Sequence, residues 1–233
     1  MEIKDQSVVI LGGTSGIGYA TAALAAARGA SVTVVSSTPS RVAEAAATLG
    51  VAGRVADLRS APVSVFQEIG PFDHLVYTAA DRLSLTPLDD LTPERVQAFF
   101  GLRYFGALAA VRAARPFLRP GGSITLTSGT AADRPGPGWA AAASVCGAMD
   151  GLTRALAVEL APIRVNAVKA GVTRSPLWGD GAEVEEMYAM LGRSLPLGRV
   201  GEVDDVAEAY LYLMSQPYAT GTITTIDGGS VLA

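Results

Sequence analysis

Gly12, Gly16 and Gly18 stand between the apolar run 7–11 and an alanine-rich stretch that follows it. In that setting each glycine has its own task. One permits a tight turn, one lets the backbone approach a pyrophosphate, and one allows a helix to pack closely on the strand behind it. The helix would then offer unpaired N–H groups and the positive end of its dipole to phosphate oxygens. Thr14, Ser15 and Ile17 lie among the glycines and would line the same turn. The chemistry implied is dinucleotide binding. Glycines also punctuate ordinary turns, so the strand–turn–helix setting carries this reading.

Roughly 20 residues further on, an acid would normally bind the adenosine ribose. Here the second apolar run ends in Ser36, Ser37 and Thr38, and the first acid after the loop is Glu44. The serines are neutral donors, and Arg41 could reach a 2′-phosphate. A missing carboxylate also removes repulsion against that phosphate. NADP(H) is therefore expected over NAD(H). The same residues suit a helix start, with Pro39 in the first turn, and can serve both ends.

These residues must be held by regular elements. Short β-branched runs at 7–11, 31–35, 53–56, 74–78, 123–127, 163–168 and 222–226 alternate with longer Ala- and Leu-rich stretches at 17–28, 40–49, 63–69, 93–115, 140–160 and 203–214. That alternation predicts βα units and an α/β fold with a doubly wound parallel sheet of about seven strands between two layers of helices. The strand candidates are nearly continuous apolar runs, as expected where both faces of a sheet are covered. No repeat, linker or charge block divides the chain, so residues 1–233 are expected to form a single domain. Residues 175–199 mix Gly, Pro and acids with a short amphipathic stretch; they read equally as a lid or as a surface excursion.

Bulk properties exclude several other classes. Apolar residues make up 49 % and charged residues 17 % of 233 residues, which suits one large covered core. A net charge of −4 argues against nucleic-acid or anionic-membrane partners. No apolar run reaches membrane-spanning length, and the N-terminal residues lack a signal-peptide layout, so a cytoplasmic location is expected. With His74 and Cys146 the sole residues of their types, neither a disulfide framework nor a His/Cys metal site is expected.

Taken together, these landmarks resemble the short-chain dehydrogenase/reductase family along nearly the whole chain. The glycine loop 12–18 is one. Asp57 and Leu58 fit the family's adenine-side acid, and Thr78, Ala79 and Ala80 stand where it has Asn-Ala-Gly. Residues 163–168 lead to Gly171 and Val172, the segment before the nicotinamide contact. Ser175 matches the family's Thr that holds the carboxamide. Thr220 and Asp227 mark the last strand. The resemblance implies a Rossmann-type fold, an NAD(P) cofactor, oxidation or reduction of a carbonyl or alcohol, and a homo-dimer or homo-tetramer. The Ala-rich stretches 107–114 and 140–148 would allow helices of two copies to approach closely.

The family's chemistry uses Asn, Ser, Tyr and Lys, and here the resemblance breaks. Counting back from Gly151, Ala142 stands where the Tyr belongs and Cys146 where the Lys belongs. The chain holds two lysines, Lys4 and Lys169, so a small slip of register cannot restore the missing one. Arg103 replaces the Asn. Ser128 matches the Ser, though its distance to Ala142 is about one residue long.

Arg103 and Ser128 are thus the candidate catalytic residues. An always-charged guanidinium could bind a carboxylate or stabilise an oxyanion, or simply pair with an acid on its helix. Ser128 could hydrogen-bond substrate or nicotinamide. Lys169, near the nicotinamide end of its strand, could touch either. Tyr77, Tyr104 and Tyr188 could supply a phenol or merely pack, and Cys146 reads as a small buried apolar residue with no base beside it. His74 reads as structural. The function expected is an NAD(P)-dependent oxidoreductase with a non-standard reaction centre. The alternatives are a dinucleotide-binding protein without activity and a non-redox catalyst on the same fold.

Overall fold

The computed structural model describes residues 3–59 and 63–233. Among them, seven strands form one parallel sheet: β1 (Ser7–Leu11), β2 (Ser31–Ser36), β3 (Ala52–Val55), β4 (Phe72–Tyr77), β5 (Leu118–Gly129), β6 (Arg164–Ala170) and β7 (Ile223–Ile226). Their spatial order is β3-β2-β1-β4-β5-β6-β7. The order reverses between β1 and β4, and in such sheets ligands bind beyond the carboxyl ends at that switch.

Strand parity divides the core. Val8 and Ile10 point to one face and Val9 and Leu11 to the other. The first face is covered by α1 (Gly16–Ala27), α2 (Pro39–Leu49) and α8 (Val203–Ser215), through Ala22, Ala45 and Leu213 among others. The second is covered by α3 (Val63–Ile69), α5 (Ala107–Ala114) and α6 (Ala140–Glu159), through Phe66, Ala110 and Leu156, with α4 (Pro93–Phe100) packed outside against α6. Ile124 and Leu126 of β5, and Val165 and Ala167 of β6, also face this second layer. Continuing the parity by two residues puts Ser128 and Lys169 on the α6 side as well. The register pairs these two residues directly.

The predicted helix 93–115 is interrupted. Residues 101–106 form a π turn between α4 and α5. Its cause lies on β4. The Tyr77 phenol donates to the Leu102 carbonyl at 2.6 Å. A Cβ at Gly106 would sit 2.7 Å from the phenol oxygen, so only glycine admits the inserted ring. A side chain wedged into the helical ladder is a standard source of such bulges.

Residues 175–199 carry a helix of their own, α7 (Ala182–Ser194). It is tied back by Arg174, which pairs with Glu185 on α7 and with Glu202 at the start of α8, and stacks 4.5 Å above the Tyr188 ring. Pro39 does open a helix, α2, with Thr38 as its N-cap and Gly50 closing it at φ 64°. No helix among the described residues is long and apolar enough to cross a membrane.

Candidate active site

The glycine loop is shaped by contacts that exclude side chains. At Gly12, φ is +89° and a Cβ would lie 2.7 Å from the Ala79 backbone nitrogen. At Gly18 a Cβ would lie 2.3 Å from the Gly12 carbonyl oxygen and 2.4 Å from Thr78 Oγ1, which fixes how closely α1 approaches β1 and β4. Ser15 is the N-cap of α1 but makes no side-chain cap bond, and the first turn holds no acid. The amide donors of that turn therefore stay open to an anion. The donor set fits the pyrophosphate of a dinucleotide.

The other predicted cofactor residues divide between the β2–β3 side and the cleft. Ser36 ends β2, Ser37 follows it, and Arg41 lies exposed in the first turn of α2, with no ion pair among the described residues. Leu58 is buried beyond β3, and Asp57 accepts the Arg59 amide at 3.0 Å. Ile17, Ala79, Gly171, Val172 and Ser175 line the cleft together. The 171–176 segment returns over the glycine loop, placing Ser175 Cβ 3.5 Å from where a Gly16 Cβ would stand.

At the far end the cleft becomes a largely apolar cavity. Arg103 supplies the single charged side chain on its wall among the described residues. The guanidinium lies 4.2 Å above the Phe99 ring, and Nη2 donates to the Asp81 carbonyl at 2.5 Å. Among the described residues no carboxylate lies within ion-pair distance of it, so the helix ion pair weighed as an alternative is not made there, although the Asp81 charge still acts on the guanidinium. Ala142 and Cys146 form part of the α6 wall. Burial pushes the Cys146 thiol up to about 11, which keeps it protonated and unreactive near neutral pH.

Ser128 is committed elsewhere. Its Oγ donates to Asp150 Oδ1 at 2.6 Å, with the Cys146 carbonyl 3.2 Å away. What the hydroxyl can show the cavity is therefore acceptor capacity. Gly129, the next residue, is the one whose Cβ would point at Cys146 Sγ, 3.1 Å away.

Behind Ser128 lies a buried charge network. Lys169 Nζ sits 2.7 Å from Asp150 Oδ2 and 2.7 Å from Asp133 Oδ2. Burial opposes the Lys169 charge, yet the two carboxylates outweigh it and raise its pKa above the ordinary value. Lys169 thus serves as an internal counter-ion rather than lining the cavity.

None of the three tyrosines offers a free phenol to the cavity. Tyr77 lines it, but its hydroxyl is bound to Leu102 and burial raises its pKa. Tyr104 packs against Phe100 and Phe105, and the Tyr188 hydroxyl lies between the Ser175 amide and carbonyl.

A family model described as enoyl-(acyl carrier protein) reductase matches residues 12–231. The short-chain dehydrogenase/reductase ATR9 of Stachybotrys chlorohalonatus is 38 % identical, over 99 % of this chain and 98 % of that protein. This chain is a short-chain dehydrogenase/reductase. A second relative of that family, malC of Malbranchea aurantiaca, is 32 % identical over 99 % of this chain and 96 % of that protein. Its solved structure, a reductase/Diels-Alderase, superposes with a TM-score of 0.91 at 31 % identity, covering 99 % of this chain and 98 % of that one. A small-chain dehydrogenase solved in complex with NADPH gives a TM-score of 0.86 at 33 % identity, over 99 % and 100 %.

Membership makes this an oxidoreductase-family chain with an NAD(P)-binding Rossmann fold. Within this short-chain dehydrogenase/reductase, sequence reasoning missed Asp150, Asp133, Trp139 and Trp178. Asp150 carried a readable signal, an acid in an otherwise apolar face of α6. The chain's two tryptophans pair at the cavity, with ring centroids 6.1 Å apart and planes tilted by 48°. Nothing in their spacing, 39 residues apart in sequence, announces that meeting.

Proposed function

We propose that this short-chain dehydrogenase/reductase is an NADP(H)-dependent oxidoreductase acting on a carbonyl or alcohol group of an apolar small molecule. The observation that carries this reading is the continuity of the site. A phosphate cradle at Gly12, Thr14, Ser15, Gly16, Ile17 and Gly18 adjoins, through Ile17, an apolar cavity whose wall among the described residues holds one charged side chain, Arg103. The NADPH complex of a similar dehydrogenase supports the choice of cofactor. When bound, a nicotinamide supplies or removes hydride.

The chain's own residues then divide the remaining work. Ser36, Ser37 and Arg41 take the adenosine 2′-phosphate, while Asp57, Leu58 and Ala79 border the adenine side. Gly171, Val172 and Ser175 hold the nicotinamide end. Arg103 binds the substrate oxygen, where a desolvated N–H donor is worth far more than in water. Ser128, its proton given to Asp150, accepts a hydrogen bond from substrate or cofactor.

Titration with NADPH and NADH, followed by NADPH consumption over a panel of carbonyl compounds, tests the reading. Failure to bind either dinucleotide at millimolar concentration would remove it. Arg41→Ala is expected to weaken NADPH binding about tenfold, the loss of one charge-assisted contact of about 1.5 kcal/mol, and to leave NADH unchanged. Calorimetry on both nucleotides reads the difference directly. A homo-oligomer is also proposed, since Phe105 and Leu108 lie exposed along the α4–α5 rod. Light scattering that returns the monomer mass would refute it.

A further inference from the structure

The cavity combines three features that point to one kind of substrate. Its lining includes the tilted indole pair of Trp139 and Trp178. Ala142 and Cys146 of α6 line it too, and leave open the volume that larger side chains there would fill. The charged group on the wall is Arg103, held 4.2 Å from the Phe99 ring centroid with no carboxylate in ion-pair distance among the described residues. Neither a carboxyl group, an imidazole nor a free phenol reaches the cavity among the described residues.

We infer that the substrate is a planar, conjugated carbonyl compound, a quinone or an aryl enone, stacked on the Trp139–Trp178 wall with its oxygen directed at Arg103. This rests on the oxidoreductase reading above and names its substrate class.

The reason is the fate of the proton. Reduction of an isolated ketone leaves an alkoxide, which demands a proton from the protein as it forms. Reduction of a conjugated acceptor does not. A hydride from reduced nicotinamide, which is oxidised in turn, forms a C–H bond at the β carbon of the C=C–C=O unit and breaks the C=C π bond. The displaced π pair spreads over the conjugated system and settles on oxygen. The anion so formed resembles a phenolate, whose acid has a pKa of about 10. Arg103 N–H groups hold that charge until release, and water then supplies the proton. A cavity with a fixed cation and no acid suits this reaction and disfavours the other. The indoles suit its geometry, since flat π systems gain from offset or tilted stacking beyond the area they bury.

The experiment uses the full chain with 1,4-naphthoquinone and cyclohexanone as probes. Because the two tryptophans both lie at the cavity, intrinsic emission reports its occupancy. Naphthoquinone without cofactor is expected to quench that emission saturably, and Trp178→Leu to raise the midpoint at least fivefold. With NADPH, the quinone is expected to turn over at least 10³-fold faster than cyclohexanone, on the scale of a missing general acid. Arg103→Leu should lower kcat/KM for the quinone by about 10²–10³ while NADPH binding stays within twofold, and Arg103→Lys should restore part of the loss.

Thermal melts of each variant separate these effects from misfolding. NADPH binding together with unsaturable quenching, or with equal turnover of both probes, would overturn the inference and leave the proposed function standing. Saturable quenching without any dinucleotide binding would instead overturn the proposed function, leaving a planar-ligand site.

Discussion

Lys169→Met is expected to cost the fold about 3–5 kcal/mol, the usual penalty for stripping one partner from a buried ion pair. The Lys169 side chain is 7 % exposed and that of Asp150 is 10 % exposed, so water cannot replace the lost ammonium. Asp150 would be left as a charge between β5 and α6, still bound to Ser128 but without a counter-ion. At this chain length each kcal/mol lowers the melting temperature by roughly 2–4 °C, which predicts a fall on the order of 10 °C.

Adding Asp150→Leu to Lys169→Met should recover more than half of that fall, because an apolar pair of similar volume removes the need for compensation. By contrast, Asp133→Asn should cost about 1 kcal/mol or less, since the Asp133 side chain is 45 % exposed. Calorimetric melts of the three variants decide the matter. A Lys169→Met protein melting within 2 °C of the parent would show that the network carries no stability.

Acid should weaken the fold through His74, the chain's one histidine. Its ring is 2 % exposed, with Nδ1 2.8 Å from Ser123 Oγ and Nε2 2.9 Å from Gln6 Oε1. The Gln6 oxygen accepts, so Nε2 carries the proton and Nδ1 receives the Ser123 hydroxyl. Burial, helped by Arg164 and opposed by Asp73, lowers the pKa from 6.5 to about 4.

The sign follows from proton counting. Above about pH 6.5 neither folded nor unfolded chain protonates this ring, and it contributes no slope. Between about 6.5 and 4 the unfolded chain takes up a proton that the folded chain refuses, so stability falls with pH. A shift of that size is worth about 3 kcal/mol in full. Urea unfolding at pH 7 and pH 4 should show the parent losing about that much more than His74→Gln. Equal losses in the two proteins would show that the imidazole is not the group responsible.

Why some of this was legible from the residues, and some not, has a physical basis. The sheet was readable because each strand is buried on both faces and must be apolar throughout, as at Val8, Val9, Ile10 and Leu11. The glycine loop was readable because backbone clashes at Gly12 and Gly18 exclude every other residue type. The π turn was not, since it depends on a phenol from Tyr77 that meets Leu102 across 25 residues of chain. Lys169 was singled out by its place at the end of the sixth apolar run, but its partners Asp133 and Asp150 come from two other segments. Ser128 was found by its place at the end of the fifth apolar run; that its hydroxyl donates to Asp150 required the packing of α6 onto the sheet. Trp139 and Trp178 approach only when the loops after β5 and β6 fold over the same opening.

One pairing sets when the site can exist at all. Gly171 donates its amide to Ile226 at 2.9 Å, and its Cα lies so close to Asp227 that no side chain would fit there. The loop closing over the cradle therefore leans on β7, which leaves the ribosome long after the first strand and helix have emerged. A nascent chain can form the phosphate-binding turn early and yet have nothing to hold the nicotinamide end down. Dinucleotide should protect the completed fold against proteolysis, and it should do little for translation intermediates that stop short of residue 222.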